Sequence, residues 1–223
     1  MKTAVIIPAG GSGKRMGGRI RKQFLKIGKK TVLEMTLESF QAEKQIHEIV
    51  LVLPEKRLKE GFRLIRGFPK ISAVVPGGSM RTQSVIRGFQ ALICQPQQVL
   101  IHDAVRPFVD SALIRRTISA LRKYPAVTAA VPVKDTIKIV QKDKILGTPN
   151  RTTLWHTQTP QGFQYEALKK CLAYAEKKES WDTDECQLAE KLGMDVRVVM
   201  GSYLNFKITT PEDLFFSKAM IKG

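Results

Sequence analysis

Short β-branched runs alternate along this chain with stretches whose apolar residues recur at helical spacing. Residues 5–7, 49–53, 73–75, 99–101 and 127–131 read as buried strands. Between them Leu33, Leu37 and Phe40 repeat on one helical face, as do Val85, Phe89 and Leu92, and Leu113, Ile114, Thr117 and Leu121. This rhythm predicts an α/β chain with a mostly parallel sheet covered by helices on both faces. Ligands of such sheets sit beyond the carboxyl ends of the strands. Four of the runs end in chemically capable residues: Pro8-Ala9-Gly10-Gly11, Pro76-Gly77-Gly78, His102-Asp103 and Pro132-Val133-Lys134-Asp135.

The rhythm breaks at 135–161. Residues 136–140 alternate as a strand, Lys142-Asp143-Lys144 reads as a turn, and 145–146 and 152–157 read as further strands. So small an insertion has little apolar surface of its own. The expectation is a projecting β-arm that packs on a partner subunit; a solvated hairpin over the main sheet is the other reading. Helices are then expected over 164–178 and 183–192, and strands over 195–200 and 205–208. A last helix starts at the cap Thr210, with Pro211 at its first position and Glu212 and Asp213 in its first turn. No linker or repeat divides the chain, so 1–223 is expected to be one domain.

Composition narrows the classes. With 223 residues, 43% of them hydrophobic, one sizeable core can form. No apolar run approaches the ~18 residues of a membrane span, and the start lacks the pattern of a signal peptide, so a cytoplasmic chain is expected. Cys94, Cys171 and Cys186 are far apart and read as reduced, structural thiols. Three histidines make a histidine metal cluster unlike this chain. The net charge of +17 admits a nucleic-acid surface, a well-solvated basic surface or a field that draws in small polyanions. Its spread along the chain, without an aromatic-interleaved stripe, favours the last two, so no nucleic-acid partner is expected.

The most chemical segment is Pro8-Ala9-Gly10-Gly11-Ser12-Gly13-Lys14-Arg15-Met16. Glycines after a buried strand let backbone N–H groups approach phosphate, and the basic pair adds charge. It is neither a Walker A loop, since Pro8 and Arg15 stand where Gly and Ser/Thr are needed, nor a dinucleotide fingerprint, since Met16 replaces the third glycine. Gly77-Gly78-Ser79-Met80-Arg81-Thr82-Gln83-Ser84 enters a helix, where its amides can bind a base edge or phosphate, or Ser79 simply caps. Asp103 can hold Mg²⁺ and Arg106 can fork onto phosphate, or the two form a salt bridge. Lys207 is either a surface residue or points into the cleft of Asp103. The basic run 19–30, with Lys22, is either a solvated face or a cover over triphosphate. No Ser-His-Asp or Cys-His set is present; a phosphate monoester, already anionic, can itself be the nucleophile.

Taken in order, these segments resemble the 2-C-methyl-D-erythritol 4-phosphate cytidylyltransferase family over nearly the whole chain. The resemblance also rests on Lys22-Gln23-Phe24-Leu25, His102-Asp103-Ala104-Val105-Arg106-Pro107, Asp135-Thr136-Ile137-Lys138, Arg151-Thr152-Thr153-Leu154-Trp155, Gln158-Thr159-Pro160-Gln161, Thr183-Asp184-Glu185 and Lys207-Ile208-Thr209. It implies a Rossmann-like nucleotidyltransferase fold, a homodimer with interlocking arms, Mg²⁺, and transfer of CMP from CTP to methylerythritol phosphate with release of pyrophosphate. By position, Arg15 and Lys22 resemble the pair that stabilises charge on the reacting phosphorus, and Arg151 and Lys207 the pair that places the sugar phosphate. Asp103, Arg106, Thr136, Thr159 and Thr183 resemble the sugar-phosphate site, with Thr136 and Arg151 reaching the other subunit. Pro8, Ala9, Gly10, Gly11, Gly13, Gly77, Gly78 and Ser84 resemble the nucleotide contacts. Arg21, Phe206 and Cys186 depart from the family pattern. A ribitol-5-phosphate cytidylyltransferase shares much of the core, but the segments 135–138 and 151–155 favour methylerythritol phosphate. A basic nucleic-acid-binding module is the alternative from another class.

Overall fold

The computed structural model describes residues 1–10, 21–179, 181 and 184–222. In chain order the elements are β1 (Thr3–Pro8), β2 (Lys26–Ile27), β3 (Lys30–Thr31), α1 (Val32–Ala42), β4 (Glu48–Leu53), α2 (Leu58–Leu64), β5 (Ile71–Pro76), α3 (Arg81–Gln90), β6 (Gln98–Ile101) and α4 (Ser111–Ala120). They continue with β7 (Ala126–Pro132), β8 (Ile139–Gln141), β9 (Lys144–Gly147), β10 (Trp155–Gln164), α5 (Tyr165–Lys178), α6 (Glu185–Lys191), β11 (Val196–Met200) and α7 (Pro211–Lys222).

Seven strands form one sheet in the order β11-β7-β10-β6-β1-β4-β5. Strand β10 runs antiparallel to both of its neighbours; the other pairings are parallel. The central strands are apolar on both faces because both are covered. Val5 and Ile7 pack with α1 and α4 residues such as Leu37 and Leu113, while Ile6 faces Val85 of α3 and Leu168 of α5. A smaller cluster of Ile27, Val32, Val105 and Ile208 ties the β2–β3 hairpin to the segment before α7.

The chain order reverses between β1 and β6, and three ladder bonds continue past the strand ends there. Ala9 N donates to Val52 O (2.7 Å), Gly77 N to Leu53 O (2.7 Å) and His102 N to Ile6 O (3.0 Å). The loops after β1, β5 and β6 are thereby held side by side at a topological switch point, where α/β sheets bind ligands. Among the described residues no helix is long and apolar enough to cross a membrane.

Three expectations need correction. Residues 152–157 are not an arm strand: 151–153 form a single 3₁₀ turn, with the Asn150 side chain accepting from Thr152 N (3.1 Å), and Trp155 onward enters the main sheet as β10. The projecting hairpin is β8–β9, whose turn residues Lys142 and Asp143 take positive φ. Residues 136–138 of the expected strand 136–140 lie outside it. Residues 205–208 form no strand; Ile208 N reaches Val105 O (2.9 Å), but Asn205 is tied by its side chain to Thr159 O (2.7 Å) instead of by a ladder. The last helix begins as expected, with Asp213 Oδ2 accepting from Thr209 N (2.7 Å) and Thr210 N (2.9 Å).

Candidate active site

The three loops enclose a cleft of about 360 Å³, within the range of small-molecule sites. Pro8, Ala9 and Gly10 form one wall. The basic run 21–24 folds onto that wall through the carbonyls of the first loop: Gln23 Nε2 donates to Ala9 O and Arg21 Nη1 to Gly10 O (2.9 Å). This places Lys22 on the cleft. Arg21, a departure from the family pattern, is therefore a tether.

The second wall is the turn into α3. Capping by Ser79 was one of two readings of this turn, but Met80 holds the cap position, and Gln83 does the capping. Its Oε1 accepts from Ser79 N (3.0 Å), Met80 N (3.2 Å) and Ser79 Oγ (2.8 Å). Gln83 crosses so near Gly78 that a Cβ there would lie 2.4 Å from Gln83 Cβ, so only glycine fits the turn. Ser84 Oγ accepts from Gly78 N (3.1 Å) and lines the cleft between Gly10 and Gly77.

Asp103 forms the floor. Lys207 Nζ lies 2.8 Å from its Oδ2, Arg81 Nε 3.4 Å from its Oδ1, and Arg106 Nε 3.7 Å from its Oδ2. Burial alone would push this carboxyl up, but the charges of Arg81, Lys207 and Arg106 override it and hold it well below the carboxylate range. Arg81 pairs also with the fully buried Glu185 of α6.

Behind the floor a polar relay fixes Asp103. Its N–H donates to Thr159 Oγ1 (3.1 Å), Thr159 pairs with His102 Nδ1 (3.0 Å), and His102 Nε2 meets the Arg106 carbonyl (3.1 Å). The carbonyl only accepts, so His102 carries its proton on Nε2 and Thr159 donates to Nδ1. Burial pushes the His102 imidazole down to about 4 from an ordinary 6.5. The unfolded chain thus takes up this proton near pH 6.5 and the folded chain near 4, so stability falls as the pH drops through that window, by up to about 3 kcal/mol. His102→Asn is expected to flatten this part of the stability–pH curve, measured by denaturant unfolding at pH 4.5 and 7. An unchanged slope would assign it to other groups.

The structure therefore brings Pro8, Ala9, Gly10, Lys22, Gly78, Ser84, Asp103 and Lys207 to one cleft, with Gly77 held just beneath. Two expected substrate contacts adjoin the cleft floor through Asp103 and are not on the cleft lining. Arg106 was expected to fork onto phosphate, but it is nine-tenths buried and its Nη1 donates to Asn205 O (2.8 Å). Thr159, also buried, is spent on Asp103 and His102. Thr136 and Arg151 are exposed at the base of the arm, where Arg151 Nη1 donates to Lys134 O (2.7 Å), and neither lines the cleft of its own chain. Gly11, Gly13, Arg15 and Thr183 lie outside the described residues. The sequence reading missed Arg81 and Glu185. Its one available signal was a cation in the first turn of a helix, where the dipole disfavours positive charge.

The donor set fits a protein-held Mg²⁺ poorly. Both Asp103 oxygens face cations, and among the described residues no group of three His, Cys, Asp or Glu side chains could hold a metal ion. Asp103, the residue expected to hold Mg²⁺, pairs here with Lys207, Arg81 and Arg106. Cys94, Cys171 and Cys186 are free thiols; burial pushes Cys171 up to about 12, which makes it unreactive packing. Cys186 is likewise buried, and Phe206 packs on Phe108 at 5.5 Å, so these two family departures fill space.

A mostly parallel sheet with a glycine-walled, cation-rich cleft at its switch point defines a phosphate-handling α/β enzyme of the nucleotidyltransferase kind. The family model described as 2-C-methyl-D-erythritol 4-phosphate cytidylyltransferase matches residues 3–223, and the chain belongs to that family. A relative of that name from Geobacter metallireducens is 40% identical over 228 residues, covering 100% of this chain and 98% of the relative. One from Desulforamulus reducens is 43% identical, covering 97% and 94%. The crystal structure of 4-diphosphocytidyl-2C-methyl-D-erythritol synthase from Anaerococcus prevotii superposes with a TM-score of 0.88 at 36% identity, covering 99% of this chain and 96% of that one.

Proposed function

We propose that this chain transfers the cytidylyl group of CTP to 2-C-methyl-D-erythritol 4-phosphate. A phosphate oxygen of the sugar attacks the α-phosphorus, a new P–O bond forms, the bond to the β-phosphate breaks, and pyrophosphate leaves with its electron pair. The attacking phosphate is already anionic, so no side chain has to remove a proton. The work left to the protein is positioning and charge neutralisation. The divalent cation comes with the substrate, as the Mg²⁺ complex of CTP, because triphosphate oxygens are the hard ligands it needs.

The observation that supports this reading is the two-sided cleft. Ala9, Gly10, Gly78 and Ser84 line the part of the cleft assigned to the nucleotide, and Lys207 and Asp103 the part assigned to the sugar phosphate. Lys22 and Arg15 are assigned to charge on the reacting phosphorus, and Lys207 to the sugar phosphate. Pyrophosphate release measured with each of the four common ribonucleoside triphosphates tests the nucleotide half. CTP is expected to be turned over at least tenfold faster than the others; equal turnover would remove the cytidylyl assignment.

The arm completes the site from a second copy of the chain. Ile139, Val140, Ile145 and Leu146 are each more than half exposed on so small a hairpin, an apolar surface suited to burial in a homodimer. Thr136 and Arg151 at its base then belong to the partner's cleft. Arg151→Ala is expected to raise KM for the sugar phosphate by about ten- to a hundredfold, the worth of one or two hydrogen bonds to a charged group. An unchanged KM with lower kcat would refute the positioning role.

A further inference from the structure

The charged cluster on the cleft floor is larger than the reaction as described requires. Arg81 is the first residue of α3, so its charge stands at the positive end of the helix dipole. Glu185, the first residue of α6, compensates it from a site with no solvent exposure. The Glu185 Oε2 takes Arg81 Nη1, its Oε1 has no hydrogen-bond partner among the described residues, and its own N–H is held by Gln161 Oε1 (3.3 Å). Burying a carboxylate on so few partners costs more than an apolar pair of the same volume, so packing alone does not account for it.

The geometry does account for it. Two carboxylates from different elements grip one guanidinium at two points, Asp103 on Nε and Glu185 on Nη1. The Arg81 side chain keeps about a quarter of its surface open, on the lining of the cleft. Arg81 follows directly on the Gly78–Met80 turn, assigned to the nucleotide, and shares Asp103 with Lys207, assigned to the acceptor. The place where nucleotide and acceptor meet is the transferred phosphate. Arg81, Lys207 and Arg106 outnumber Asp103 and Glu185 by one charge, so the floor remains attractive to an anion.

We propose that Arg81 binds the transferred α-phosphate and that Glu185 is the positioning residue that aims it. The proposal rests on the nucleotidyl-transfer reading. Arg81 is a catalytic residue in this account because it touches the reacting group; Glu185 acts only through Arg81.

The test is a double-mutant cycle of Arg81→Ala and Glu185→Gln, read in kcat and in KM for each substrate, with melting temperature and CTP binding by calorimetry measured alongside. Arg81→Ala is expected to lower kcat about a hundredfold, more than it raises either KM. Glu185→Gln is expected to lower kcat about tenfold alone and to cost nothing further in the Arg81→Ala background. Losses that multiply in the double variant would overturn the coupling, and so would a Glu185→Gln enzyme with wild-type kcat and only a lower melting temperature. If Glu185→Gln does not fold, Glu185→Asp keeps the charge and shortens the reach; its loss must likewise vanish without Arg81. A wild-type protein that binds CTP but does not turn over the sugar phosphate would instead put the function at fault.

Discussion

Asp103→Asn is expected to lower the folding free energy by about 3–5 kcal/mol, the cost of leaving buried charges without their counter-ion. Three cations lie within 4 Å of this carboxylate, at 2.8, 3.4 and 3.7 Å, and Arg106 is largely buried with it. Asparagine preserves the shape and removes the charge, so Lys207, Arg81 and Arg106 repel one another across the floor. A loss of that size in a domain of this length lowers the melting temperature by about 6–20 °C. Calorimetry at pH 7 checks it. The same variant is expected to lose at least a hundredfold in kcat/KM, because the cations that Asp103 holds in register no longer converge. A melting temperature within 2 °C of wild type would mean that the three contacts contribute nothing to the fold.

Arg15→Ala is expected to reduce kcat by about 10²–10³, the usual worth of one well-placed group facing charge that grows in the transition state. Its effect on CTP affinity is expected to stay below about tenfold, because only interactions stronger in the transition state accelerate the step. Arg15 follows Gly10 by five positions in sequence, and Gly10 lines the cleft. Steady-state kinetics combined with CTP calorimetry separate the two effects. Equal losses in turnover and in CTP binding would make Arg15 a simple binding residue.

The parts of this molecule that a linear pattern announces are those governed by near neighbours in sequence. Strands β1, β4 and β7 were legible because burial on both faces makes them continuous apolar runs. The start of α7 was legible because Thr210, Pro211 and Asp213 are a local capping code. The glycine turn after β5 was legible for the same reason, although Ser79 was the only cap considered when Gln83 had the reach. What escaped depends on partners far away in sequence. Arg81 and Glu185 are 104 positions apart. Arg106 read as a candidate for phosphate because nothing local shows that its terminal nitrogens meet the carbonyls of Asn205 and Thr157. Strand β10 was mistaken for part of the arm because its pairing with β6 and β7 is set by the sheet, not by its own composition.

The exposed arm has the opposite character. Its hairpin turn is locally encoded by Lys142 and Asp143, yet its apolar residues find little cover among the described residues. The sequence pointed to a second subunit on another ground, that so small an insertion has little apolar surface of its own. Mixing Arg15→Ala and Arg151→Ala subunits follows naturally, since a dimer with one intact composite site would regain part of the activity that each variant lacks.

The central claim is the reaction itself. Its most direct measurement is a side-by-side assay of this protein with CTP and Mg²⁺ and either 2-C-methyl-D-erythritol 4-phosphate or ribitol 5-phosphate, following pyrophosphate release and the diphosphate product by phosphorus resonance. The account predicts a cytidine diphosphate ester of methylerythritol, formed with a kcat/KM at least a hundredfold above that for the ribitol compound. Faster turnover of ribitol 5-phosphate, or no diphosphate product from methylerythritol phosphate, would contradict it.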